Sequence, residues 1–284
     1  MKIYIVIPAH NEAEYIGKTL QSLVEQTFLP SKIVVVDDHS SDNTAKIVSE
    51  FTQKYPFISL VLNSSSEEHL PGSKVIDAFN KGYNTLDEEY DIICKFDADL
   101  IFPKDYLNTI LHHFQKDPKV GMAGGFCSIF KNETWILENL TNSDHLRGAL
   151  KAYRKACFLA IGKLKPAMGW DTADELLSQF HGWSVKTDKD LLVQHLKPTG
   201  ANYNISSKYR QGEAFYKLRY GFAITTIASA KLAYLKKDMS LLKDFLIGFY
   251  KAKKEKQPFL VTKQEGRFIR KLRWNKMSKK ILKF

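Results

Sequence analysis

Residues 3–7 are an unbroken apolar run that stops at Pro8, and residues 14–26 place Ile16, Leu20, Leu23 and Val24 on one helical face. A second apolar run covers residues 33–36, so the chain opens with strand, helix and strand in succession. Residues 43–55 predict the next helix, with Ser41 or Asp42 placed to cap it, and residues 58–62 a third strand. Residues 77–86 have helical spacing, and residues 91–96 are again strand-like. Strands that are apolar on both faces and separated by helices predict an α/β protein with a mixed, mostly parallel sheet flanked by helices.

Further on the pattern changes twice. Residues 120–196 mix short strand-like runs with turn signals and are expected to complete a site. From about residue 209 aromatic side chains crowd together at Phe215, Tyr216, Tyr220 and Phe222, and Lys-rich helical stretches follow. The expected organisation is a catalytic domain over residues 1–205 and a basic, partly amphipathic helical extension over residues 206–284.

Charge sharpens that division. The chain of 284 residues carries a net +11, but from residue 231 onward 17 Lys or Arg stand against four acids, a net +13, which leaves the first 230 residues at −2. Apolar clusters at Leu241, Leu242, Phe245, Leu246, Phe249 and Tyr250 lie next to Lys251, Lys253 and Lys254. This pairing favours an anionic membrane surface over nucleic acid as the partner of the extension. No run reaches the roughly 20 apolar residues that span a bilayer. The opening run is also too short for a signal peptide. The expected location is cytoplasmic, peripheral on the inner face of the cell membrane. Cys94, Cys127 and Cys157 match neither a zinc nor a redox spacing, and their odd number argues against a disulfide framework.

In α/β sheets ligands bind beyond the carboxyl ends of the strands. Three polar loops fall there: residues 8–12 (Pro-Ala-His-Asn-Glu), 37–42 (Asp-Asp-His-Ser-Ser-Asp) and 97–99 (Asp-Ala-Asp). Alternation along extended chain would put Asp97 and Asp99 on one face with Ala98 turned away. Hard carboxylate oxygens suit Mg²⁺ or Mn²⁺, which complete their shells with substrate phosphates. Trp170 is a candidate for stacking on a sugar ring. Asp171 and Asp174 precede or open a helix-like run, where a carboxylate is well placed to stay ionised and act as a base.

Together, residues 7–12, Gln26-Thr27 and residues 34–44 resemble the opening pattern of family 2 glycosyltransferases of the GT-A fold. The likeness extends through Pro71-Gly72-Ser73-Lys74 to residues 78–82, covering roughly residues 1–200. It implies inverting transfer from a nucleotide-sugar donor to a hydroxyl of a glycan or lipid-linked acceptor. It also implies that Asp38 contacts the base and that Pro8, Ala9, Asn11, Glu12 and Lys74 line the nucleotide pocket. By the same likeness Asp97 and Ala98 sit against the sugar-nucleotide, and Asp99 with His195 holds the metal. The family's base is the Asp of a Glu-Asp motif; here the count back from Gly182-Trp183 favours Asp171, and the Asp-Glu pairing favours Asp174. The Gln-x-x-Arg-Trp motif of membrane-spanning members is absent, leaving Arg210 as a candidate for the diphosphate. The rival readings are a sugar nucleotidyltransferase, which would need a Gly-rich loop after the first strand, and a non-catalytic membrane- or nucleic-acid-binding module on a degenerate transferase scaffold.

Overall fold

The computed structural model describes residues 1–64, 72–138, 145–197 and 209–281. The chain divides into two units, residues 1–166 with 181–201, and residues 167–180 with 202–284. The boundary expected near residue 205, and Pro71 of the nucleotide-side loop, lie outside the described residues.

The first unit is built on β1 (Ile3–Ala9), β2 (Lys32–Asp38), β3 (Ile58–Asn63), β4 (Ile92–Phe96), β5 (Leu100–Ile101), β6 (Val120–Lys131), β7 (Thr134–Leu137), β8 (Leu150–Arg154) and β9 (Ser184–His195). All seven residues of β1 are buried, because helices cover both faces of the strand and its neighbours β2 and β4 cover both edges. The sheet order is β3-β2-β1-β4-β8-β6-β9-β5, with β7 paired to β6. Pairing is parallel through β3, β2, β1 and β4, and turns antiparallel at β8, as expected of a mixed α/β sheet. The helices α1 (Ile16–Val24), α2 (Thr44–Lys54), α3 (Lys74–Tyr83), α4 (Tyr106–Lys116) and α5 (Lys155–Ala160) complete this unit.

Three local expectations are corrected. Asn43, not Ser41 or Asp42, holds the cap position of α2, while Asp42 accepts the Thr44 N–H at 2.9 Å and the Ala13 N–H at 3.0 Å. Helix α3 begins at Lys74 and ends at Tyr83, earlier than its spacing predicted. Residues 120–196 contain two strands of twelve residues, β6 and β9, instead of short ones only. The first half of β9 is exposed and polar, so it leaves no apolar run to read.

The second unit consists of α6 (Trp170–Phe180), α7 (Arg210–Lys217), α8 (Gly221–Leu235), α9 (Ser240–Lys254) and α10 (Lys263–Ile281). Helices α7 and α9 cross so closely that a Cβ on Gly212 would stand 1.8 Å from the Phe245 carbonyl oxygen, and one on Gly248 1.9 Å from that of Tyr209. Helix α10 packs on α6 and α8, with Phe180 and Phe268 edge to face at 5.5 Å. Phe245 and Phe249, expected on a membrane-facing side of α9, are buried in this unit. No described helix is long and apolar enough to cross a membrane.

Candidate functional site

The three polar loops meet at the carboxyl ends of β1, β2 and β4, and hydrogen bonds lock the first two together. Asn11, with φ of 54°, donates its N–H to Ser40 Oγ at 2.8 Å and accepts the Ser41 N–H on its Oδ1 at 2.8 Å. The Glu12 N–H donates to Thr44 Oγ1 at 2.8 Å. Pro8 and Ala9 are the buried last residues of β1, opposite Val36 and Asp37. Asp38 ends β2, is 8% exposed, and accepts the Asn63 side-chain N–H at 2.8 Å. Lys74 opens α3 and is half-buried.

Asp97, Ala98 and Asp99 do not continue the strand: β4 ends at Phe96, and the three form a turn before β5. Face sharing through alternation is therefore replaced by turn geometry. The Asp97 N–H donates to the Ala149 carbonyl at 2.8 Å, and Thr19 Oγ1 donates to the Ala98 carbonyl at 2.7 Å. Asp97 is ion-paired with Lys95, whose side chain is only 2% exposed. A buried Lys demands such a partner. Its antiparallel neighbour in β8, Lys151, is also fully buried.

Asp99 and His195 are brought together by β5, where Leu100 pairs with His195 and the Leu196 N–H donates to the Asp99 carbonyl at 2.9 Å. His195 Nε2 stands 3.3 Å from Asp99 Oδ2, with the two side chains 8% and 10% exposed. Its Nδ1 stands 3.4 Å from Oε2 of Glu138, which is ion-paired with Arg147. Burial works against the imidazolium, yet its hydrogen bonds to the Asp99 and Glu138 carboxylates outweigh it and raise the His195 pKa to about 9. Lys197, two residues on, pairs with Glu12 at 2.7 Å. Burial raises the Glu12 carboxyl above the ordinary range, Lys197 opposes that, and Asp99 and Asp97 add to it. The acidic loops and the end of β9 thus form one electrostatic site.

The residues fit a hard divalent cation. Asp99 Oδ1 and Glu12 Oε2 are buried and have no hydrogen-bond partner among the described residues, an unfavourable state for carboxylate oxygens unless something binds them. Cys127, Glu138 and His195 also gather, with ligand atoms within 4.8 Å of one another. The Cys127 thiol, though, is pushed up to about 12 by burial, and soft sulfur suits Mg²⁺ or Mn²⁺ less well than carboxylate oxygen does. Asp99 with His195 is the better donor set for Mg²⁺ or Mn²⁺.

The remaining candidates belong to the second unit. Trp170 opens α6 and is 7% exposed. Asp171 lies in the first turn, half-buried, and acts electrostatically on the Tyr220 hydroxyl, which accepts from Arg273 at 2.6 Å. Asp174 sits within the helix, 4% exposed, and accepts the Glu175 N–H. Arg210 is the first residue of α7.

Sequence reasoning missed Lys95, Glu138, Arg147 and Lys197. Lys95 had a signal, a lone cation inside the apolar run 92–96. Glu138 and Arg147 had none, since they reach His195 only through the sheet.

A parallel nucleotide-type half joined at β8 to a mixed half, in which β6 and β9 run parallel, with Asp97, Asp99 and His195 on the shared rim, defines a GT-A transferase fold. The chain belongs to glycosyl transferase family 2, whose profile matches residues 4–162. It is 32% identical over 143 residues to the probable glycosyltransferase YdaM of Bacillus subtilis, covering 50% of this chain and 33% of that protein. It is 28% identical over 145 residues to the poly-beta-1,6-N-acetyl-D-glucosamine synthase of Staphylococcus epidermidis, covering 50% and 32%. The matches thus span about a third of these relatives' lengths. Among solved structures, the mannosyltransferase PcManGT of Pyrobaculum calidifontis in complex with GDP-Man and Mn²⁺ aligns with a TM-score of 0.60 at 18% identity, over 88% of this chain and 74% of that one. Residues 1–349 of S. aureus TarS in complex with UDP-GlcNAc align at 0.59 and 18%, over 88% and 73%.

Proposed function

We propose that the chain moves a sugar from a nucleotide-diphosphate donor to a hydroxyl of a glycan or lipid-linked acceptor, with inversion, in cell-surface polysaccharide or glycolipid synthesis. The observation that carries this is Asp99 beside His195 with a buried, unpartnered Oδ1, on the rim where Asp38 and Glu12 also converge. The nucleotide-sugar complexes of the two structural neighbours support it. Asp99 and His195 would hold Mg²⁺ or Mn²⁺, which neutralises charge developing on the leaving diphosphate. Asp97, anchored by Lys95, supports the sugar-nucleotide together with Ala98. Asp38, oriented by Asn63, receives a base N–H, while Pro8, Ala9, Asn11, Glu12 and Lys74 line the pocket.

Asp171 is favoured over Asp174 as the base, because a base must reach the acceptor hydroxyl and Asp174 is nearly fully buried inside α6. Trp170 and Arg210 remain assigned to the sugar and the diphosphate. An anionic membrane surface is the proposed partner of the second unit: Tyr234, Leu235 and Met239 are 78%, 62% and 64% exposed around Lys236 and Lys237. Such an apolar tip ringed by cations suits the lipid headgroup boundary.

The test is donor hydrolysis by wild type and Asp99→Ala across a panel of nucleotide sugars with Mn²⁺. Loss of at least about 100-fold is expected for the variant. Metal-dependent turnover retained in Asp99→Ala overturns the site, and no turnover in wild type favours a non-catalytic binding module.

A further inference from the structure

We propose that Glu138, clamped by Arg147, is a positioning residue that fixes which nitrogen of His195 faces the metal. This rests on the reading of Asp99 and His195 as the metal site.

The hairpin of β6 and β7 supplies the placement. Its two-residue turn, Asn132 and Glu133, has φ of 51° and 61°, the left-handed pair that lets a tight turn match strand twist. Its register brings Ser128 opposite Leu137, and the Glu138 N–H then donates to the Cys127 carbonyl at 2.9 Å. On the other side β6 pairs with β9, Ile129 opposite His195. Glu138 and His195 are thus delivered to one point by two neighbouring ladders of the same strand.

At that point the imidazole has a carboxylate at each nitrogen. Nδ1 faces Glu138 Oε2 at 3.4 Å, and Nε2 faces Asp99 Oδ2 at 3.3 Å. The two carboxylates are not equivalent. Glu138 is 4% exposed and already neutralised by the Arg147 guanidinium, so its remaining capacity is as an acceptor for Nδ1–H. Asp99 keeps an unpartnered oxygen, the mark of a ligand still to be bound. With the Nδ1 proton held by Glu138, a cation arriving beside Asp99 would displace the proton on Nε2 and meet that nitrogen's lone pair. A carboxylate behind a ligating histidine orients the ring and makes it more basic; its loss costs about 10–100-fold in metal affinity. Arg147 matters because its guanidinium compensates the buried carboxylate and holds it behind the ring. The guanidinium also disfavours a cation on the Nδ1 side, which separates this arrangement from a metal site made by Cys127, Glu138 and His195.

The experiment measures Mn²⁺ affinity of the full chain without donor, by electron paramagnetic resonance, for wild type, Glu138→Ala, Glu138→Gln, Cys127→Ser and Asp99→Ala. Glu138→Ala should bind about 10–100-fold more weakly. Glu138→Gln, whose amide oxygen still accepts Nδ1–H, should recover most of that loss. Cys127→Ser should match wild type. Should Glu138→Ala not fold, Glu138→Asp keeps the charge beside Arg147 but draws the acceptor back, and its loss is compared with the Gln variant. The proposal is overturned if affinity is unchanged in the Ala or Asp variant, if Gln is as weak as Ala, or if Cys127→Ser loses as much. Unchanged affinity in Asp99→Ala overturns the metal-site reading and the proposal with it, whereas loss there with none at Glu138 overturns the proposal alone.

Discussion

Replacing Lys95 by Met tests whether a buried cation braces the acidic turn. Lys95 donates to Asp97 and, at 3.1 Å, to the Gly148 carbonyl, from a side chain 2% exposed. Breaking a fully buried ion pair from one side costs about 3–5 kcal/mol. Asp97 is 35% exposed, so water can take over part of its solvation and the cost falls toward the lower end. The Gly148 carbonyl loses one donor, worth about 1 kcal/mol. Met refills most of the stem's volume, so little cavity cost is added. A net loss of about 3–4 kcal/mol is expected. Lys95→Ala should lose about 2 kcal/mol more, since roughly three buried methylenes go as well. Urea unfolding followed by circular dichroism reads both, with an unchanged denaturant slope marking an effect on stability alone. Wild-type stability in the Met variant would refute the bracing role, and an Ala variant no worse than Met would refute the burial argument.

Two further outcomes follow from other parts of the molecule. His195 is raised from 6.5 to about 9 in the fold, so its stabilisation is complete below pH 6.5 and is lost as pH rises through 9. Thermal midpoints of the metal-free protein should fall across that window and flatten in His195→Asn; a parallel fall in the variant would show that other groups are responsible. Exchanging Tyr234, Leu235 and Met239 for Ser should lower co-sedimentation with anionic vesicles while leaving donor hydrolysis intact, and unchanged sedimentation removes the proposed lipid contact.

The nucleotide half of the fold was legible because β1, β2 and β4 are buried on both faces, so their residues had to be apolar without alternation. Strand β9 was hidden for the opposite reason. Its first residues, including Lys186, Asp188, Lys189 and Asp190, mix polar character with partial exposure, and only its end near Val193 and His195 is buried. Asp97 and Asp99 both act electrostatically on Glu12 and His195, but from a turn and not from the shared strand face that alternation suggested. Glu138 lies 57 residues from His195, a separation bridged by two strand pairings that no local period encodes. Asp171 and Asp174 stayed undivided in sequence because both suit a helix start; burial is what distinguishes them.

Helix α6, which carries both candidate bases, comes from a stretch of fourteen residues that leaves the first unit at Ala167 and returns to it after Phe180. Its packing partner α10 lies at the far end of the chain. The basic segment is consequently no detachable handle. A nonsense mutation or an engineered stop near residue 205 would strip α6 of the surface it folds against and uncover Phe180, although every acidic loop would remain encoded. If α6 carries the base, as proposed, a fragment chosen to keep the recognisable motifs would retain the acidic loops while losing the helix that α6 packs against.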